Sequence, residues 1–166
     1  VTDYASILNG NLDFRYVYDG YSWGFTITLK LEMIEGVPPM DALSVKNIYD
    51  GYYAYGSVAD PIENHLISKP FQYNNPSSKA FVKNVISGHG SDDNGCGEFC
   101  SKYYELKINN TTIAQKQLWR NDCGLNDIYP QTGTWLYDRA NWCPGAIVKP
   151  IYHDLSAVTT PANTFS

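Results

Sequence analysis

No stretch of the sequence approaches the roughly 18 consecutive apolar residues that a membrane-crossing helix requires. Basic residues are scarce: 12 Lys and Arg stand against 17 Asp and Glu, for a net charge of -5. That balance leaves no basic stripe to displace counterions, so a nucleic-acid surface is excluded. Histidine is limited to His65, His89 and His153, dispersed along the chain, which does not make a ligand cluster for a copper or other transition-metal site. Long apolar patterns of helical period are missing, and charged residues reach only 17% beside 43% hydrophobic residues, which argues against disorder. Low-complexity stretches, internal repeats and a signal peptide are also lacking, so the chain is expected to be a mature chain or a fragment.

What is present is aromatic and extended. Aromatic residues make up 14% of the chain, and 14 residues are Tyr, a load that suits β-structure with flat, hydrogen-bonding surfaces. At 166 residues the length fits one ordinary domain, which typically buries roughly 70% of its unfolded surface. Leu12–Asp19 and Phe25–Ile34 alternate apolar and polar residues and predict strands. Ala42–Tyr55 carries two short extended runs broken at Asp50-Gly51. His65–Tyr73, Lys79–Ser87, Lys102–Asn109, Thr111–Leu118 and Ala146–Leu155 continue the series, with a turn at Asn109-Asn110. One helical turn is predicted at Asp3–Leu8, capped by Thr2 or Asp3. The pattern predicts an all-β, antiparallel two-sheet β-sandwich or jelly roll. Two irregular segments interrupt it, the glycine-rich Gly88–Cys100 and the tryptophan-rich Trp119–Gly145. Long loops on a rigid scaffold commonly carry function.

The cysteines are Cys96, Cys100, Cys123 and Cys143, which allow three disulfide pairings. Neighbour pairing closes a tight staple and a longer loop, contributing about 2 and about 3 kcal/mol in the chain-entropy account. Zinc is the alternative for the Cys-x3-Cys spacing, but Cys123 and Cys143 have no nearby ligand partners. Disulfides are favoured, which predicts an oxidising compartment, secreted or periplasmic. Asn109 and Asn110 both fit the Asn-x-Ser/Thr pattern, which matters only in a eukaryotic secretory host.

Glu98 lies at the centre of the Cys96–Cys100 segment, where a short covalent loop would hold a carboxylate rigidly enough to position water. The plainer reading is an exposed acid in a turn. Arg139 follows Asp138 and either orients a distant carboxylate or pairs with that neighbour. Trp135 and Trp142 either stack on the C–H face of a sugar or fill the core. His89 sits between Gly88 and Gly90, close enough to backbone to approach a ligand, although a lone histidine is more often structural.

Val85-Ile86-Ser87-Gly88-His89-Gly90 and Gly95-Cys96-Gly97-Glu98-Phe99-Cys100 resemble the corresponding blocks of the peptide:N-glycosidase F family, the F-type bacterial N-glycanases. The resemblance extends through Lys107-Ile108-Asn109-Asn110 and the block from Thr134 to Gly145, which reads TWLYDRANWCPG. The opening, Val1 to Asn11, is similar to the end of the family's first domain.

The resemblance implies two side-by-side jelly rolls, with residues 1-24 the edge of the first and 25-166 the second. It implies disulfides Cys96–Cys100 and Cys123–Cys143. The implied activity is hydrolysis of the Asn side-chain amide that carries an N-linked glycan, with no metal and no cofactor. Glu98 then matches a catalytic, water-positioning glutamate, Arg139 an active-site arginine acting as electrostatic stabiliser, and Trp142 a tryptophan lining the cleft. Asp19 stands where the family has a further glutamate, as an auxiliary acid one methylene shorter. Tyr21, His89 and Phe99 stand where it has tryptophans, and are expected to bind substrate. The family's principal catalytic Asp lies in a Cys-rich motif of the first jelly roll that these residues do not contain. The implied partners are an N-glycoprotein or N-glycopeptide and a preceding jelly-roll domain that supplies the acid. The alternative is a glycan-binding module that kept the scaffold without the chemistry.

Overall fold

Lys102–Asn109 and Thr111–Leu118 alternate on either side of the Asn109-Asn110 turn, and they form the longest hairpin among the described residues. The computed structural model describes residues 2–18, 26–72, 79–91, 95–128, 130–155 and 162–165. Its strands are β1 (Lys69–Gln72), β2 (Phe81–Asn84), β3 (Lys102–Ile108), β4 (Thr111–Leu118), β5 (Ile151–Asp154) and β6 (Ala162–Phe165). Among the described residues, helical structure is confined to four short 3-10 turns, Thr2–Ile7, Ile62–Asn64, Gly97–Phe99 and Cys123–Leu125. Among the described residues the chain is therefore mostly extended, with the predicted helical turn present at its start.

Asn109 and Asn110 adopt φ of 50° and 63°, the doubly left-handed pair that a two-residue hairpin loop requires, and asparagine tolerates that region better than most residues. The turn puts Ile108 opposite Thr111. The register then shifts between Leu106, opposite Ala114, and Lys107, opposite Thr112, so Ile113 is the extra residue of a β-bulge.

Two units make up the chain, Val1–Asn47 and Ile48–Ser166. The larger unit holds a four-stranded antiparallel sheet in the order β1-β6-β3-β4 and a two-stranded pair β2-β5. Leu106 and Ile108 of β3 and Leu155 after β5 are buried together, with Phe71 and Val82 packed against them. Burying each such side chain contributes about 1.5–3 kcal/mol at most. Tyr104 of β3 and His153 of β5 join the sheets through a 2.7 Å hydrogen bond. β5 starts right after Pro150, which has no N–H to give a ladder, and so covers only the end of the predicted Ala146–Leu155 strand.

The smaller unit is tied by Ser6, whose hydroxyl accepts from the Ala42 N–H at 2.7 Å. Leu12–Tyr18 and Thr26–Ile34 are not in ladders, although strands are predicted there, and neither is Ala42–Tyr55. Alternation specifies the two faces of a strand but supplies no partner for its backbone. Met33 at 95% and Ile34 at 86% exposure show that here both faces of the pattern are open.

Both disulfides form, Cys96–Cys100 and Cys123–Cys143, and they leave no cysteine free to hold zinc. Among the described residues no helix is long and apolar enough to cross a membrane.

Candidate active site

Three loops interlock around Glu98. The Cys96–Cys100 staple encloses the 3-10 turn Gly97–Phe99, closed by the Cys100 N–H on the Gly97 carbonyl at 3.2 Å. Gly97 has φ of 46°, and a Cβ there would run into the Gly90 carbonyl and the Ser91 Cα. Only glycine lets the two loops come this close. The Glu98 N–H donates to the Gly90 carbonyl at 2.9 Å, and the Gly90 N–H donates back to Glu98 Oε2 at 3.1 Å. The third loop docks through the Ala140 N–H on the Glu98 carbonyl at 2.8 Å. Its end is fixed by Asn141, which takes a left-handed φ of 60° and donates to the Ile86 carbonyl at 2.7 Å.

Arg139 is aimed at Glu98 by a backbone bridge to Arg120, with N···O distances of 2.8 and 3.1 Å. Its Nη1 lies 3.2 Å from Glu98 Oε1, and the two side chains are 3% and 16% exposed. Nε donates to the Tyr137 carbonyl at 3.2 Å, and Nη2 to the Thr134 carbonyl and hydroxyl. The guanidinium sits 4.8 Å from the Phe99 ring centre and 4.6 Å from that of Trp142, within cation–π range. Trp142 is held in turn by a 2.7 Å hydrogen bond from its indole N–H to the Gly88 carbonyl. The His89 ring lies 4.5 Å from the Trp142 ring.

The structure thus gathers Glu98, Arg139, Trp142, His89 and Phe99 into one cluster, although they are up to 53 residues apart in sequence. Asp19 and Tyr21 lie outside the described residues. The geometry separates two open alternatives. Trp135 is buried at 6% exposure and belongs to the interior, whereas Arg139 pairs with Glu98. Thr134, Gly90 and Asn141 were not singled out in the sequence. Backbone carbonyls and N–H groups carry most of their contacts, and a sequence does not display which of those face a site.

On the other side of the Arg120–Arg139 bridge, Arg120 grips Asp122 through two bonds of 2.7 and 3.1 Å. This hydrogen bonding, aided by Lys149 and opposed by partial burial, holds the Asp122 carboxyl down at about 2. These side chains line a groove of about 550 Å³ bordered by Leu125, Ile128 and Ile147.

Chemically, the cluster offers a carboxylate with one oxygen on a guanidinium and the other on a backbone N–H. A carboxylate has about four lone-pair positions, so capacity remains to accept from a water molecule. The flanking rings suit the apolar face of a pyranose.

Residues 58–166 match the family model for the C-terminal part of peptide-N-glycosidase F. The chain belongs to this family. The peptide-N(4)-(N-acetyl-beta-D-glucosaminyl)asparagine amidase F of Elizabethkingia miricola is 30% identical over 181 positions, covering 100% of this chain and 49% of the relative. The chain therefore spans about half the length of that family member. Among solved structures, PNGase F of Flavobacterium meningosepticum, a glycosylasparaginase, is similar with a TM-score of 0.55 and 31% identity. That likeness covers 67% of this chain and 37% of the other. A second solved peptide-N(4)-(N-acetyl-beta-D-glucosaminyl) asparagine amidase gives 0.56 and 31%, over 68% and 38% of the two chains.

Proposed function

We propose that this chain is part of a peptide-N4-(N-acetyl-beta-glucosaminyl)asparagine amidase that releases intact N-glycans from glycoproteins. The reading is carried by one observation: a family member holds Glu98 against buried Arg139 at the base of an aromatic cluster. Glu98 positions a water and takes its proton as the oxygen attacks the side-chain amide carbon of the glycosylated Asn. The amide C–N bond then breaks as that proton passes to the departing nitrogen, leaving Asp on the peptide and a glycosylamine. Four of the five Arg139 N–H directions are engaged, by Tyr137, Glu98 and twice by Thr134, so its part is to position Glu98 and supply positive charge beside it. Trp142, His89 and Phe99 line the sugar side; in the same reading Tyr21 has a substrate-binding role and Asp19 that of the auxiliary acid.

The finer architecture belongs to the same reading: a jelly roll over 25-166, with 1-24 as the edge of a preceding one that brings the remaining carboxylate. Two disulfides support a secreted or periplasmic setting. The aromatic cluster also supports a second reading, a glycan-binding module without catalysis. The two separate in an N-glycopeptide assay followed by mass spectrometry, on the chain alone and with a family first domain added. Glycan release that Glu98→Gln abolishes supports the amidase. Retained glycopeptide binding with no release in either arrangement overturns it in favour of the binder.

A further inference from the structure

Trp142 already has two planar groups against it, the Arg139 guanidinium at 4.6 Å and the His89 imidazole at 4.5 Å. Of these three, His89 is the exposed one. The indole is locked from below by the Gly88 carbonyl, the residue just before His89, so the imidazole lies on a rigid support. Its Nε2 is taken by the Ser87 hydroxyl at 2.8 Å. A neutral imidazole has one donor and one acceptor nitrogen, and the Ser87 hydroxyl can meet Nε2 in either role, so the bond holds the ring in place and leaves Nδ1 as its outer polar atom.

We propose that Ser87 and His89 form a polar reader beside Glu98, in which Ser87 positions the ring and His89 Nδ1 hydrogen-bonds the saccharide. The inference rests on the saccharide reading of the site given above. A sugar hydroxyl, or the N–H and C=O of an acetamido group, supplies the complement of either tautomer. The stacked ring and its polar edge then act together. The ring face packs on C–H groups, and Nδ1 distinguishes a ligand that presents a hydrogen-bonding group at that position. Neither role needs Glu98 to react, so Ser87 and His89 govern affinity and choice of ligand and leave the proton transfers to others.

The test is titration of the whole protein, with 15N-labelled histidine, by N,N′-diacetylchitobiose. Binding is expected to move the His89 Nδ1 resonance while Nε2 stays with Ser87. His89→Phe keeps a stacking ring and removes the polar edge, and should weaken binding roughly five- to tenfold, the size of one net hydrogen bond. Ser87→Ala should give a mixed tautomer signal and a smaller loss, and Ser87→Thr should restore both. Circular dichroism checks that the variants fold, as expected for an exposed ring. If the disaccharide binds and His89→Phe binds it equally well, the saccharide reading stands and this one falls. If the protein binds no saccharide at all, both fall.

Discussion

Glu98 Oε1 and Arg139 Nη1 lie 3.2 Å apart, with the guanidinium side chain only 3% exposed. Each therefore depends on the other: the arginine has little water to fall back on, and the carboxylate is held at one angle by a group that cannot move. Removing one partner of such a pair leaves a buried charge uncompensated, which costs about 3–5 kcal/mol. Arg139→Ala should lower the urea-unfolding free energy by that amount. Arg139→Met, which fills the slot between Phe99 and Trp142 but leaves Glu98 just as uncompensated, should lose nearly as much. A distinctly smaller loss in Arg139→Met would mean that packing, and not the ion pair, secures the site.

Gly97 and Gly95 make a matched pair for testing how the Cys96–Cys100 turn is seated. Both have left-handed φ, 46° and 78°, but a Cβ at Gly95 meets nothing within 4 Å, whereas one at Gly97 strikes the Gly90–Ser91 backbone. Gly95→Ala should cost about 1 kcal/mol from backbone strain alone. Gly97→Ala should cost more and should separate Glu98 from the Gly90 N–H. Hydrogen exchange at Gly90 reads this directly, as faster exchange in Gly97→Ala and unchanged exchange in Gly95→Ala.

Asp122 gives the larger unit an acid-sensitive clasp. Its carboxyl is lowered from 3.8 to about 2 by the hydrogen bonds from Arg120, with Lys149 adding to them. A depressed carboxyl stabilises the fold fully above its unfolded value, and that contribution is lost as pH falls through the folded one. Urea midpoints measured from pH 5 down to 2 should decline below pH 4 in the parent protein. The decline should be shallower in Asp122→Asn.

His153 titrates in the opposite setting, lowered from 6.5 chiefly by burial and further by the charge of Lys116. The folded state thus prefers the neutral ring bonded to Tyr104. Its contribution is complete above pH 6.5 and falls as pH drops through the folded value. An NMR titration should place His153 below 6.5, and His153→Gln should remove that part of the pH dependence of stability.

The sequence already displayed the parts of this fold that are local. The Asn109-Asn110 turn and its flanking alternation define β3 and β4 because both the turn chemistry and the side-chain pattern are written into adjacent residues. Thr26–Ile34 alternates just as clearly yet forms no ladder, because the partner that pairs a strand is not a local property. At the site, Glu98 stood out through its two flanking cysteines, and Arg139 and Trp142 through their resemblance to a family block. The bond from Gly90 to Glu98 and the Ser87–His89 contact did not, since both arise from how the loops meet.

The most direct measurement is the reaction of an N-glycopeptide with the protein, supplemented by a family first domain, in H2 18O, with the peptide weighed afterwards. Amide hydrolysis puts one water oxygen on the peptide, so the account predicts an Asp product carrying a single 18O, formed by the parent protein and not by Glu98→Gln. A peptide that keeps Asn with a sugar stub, or labelled Asp formed equally by Glu98→Gln, would contradict it.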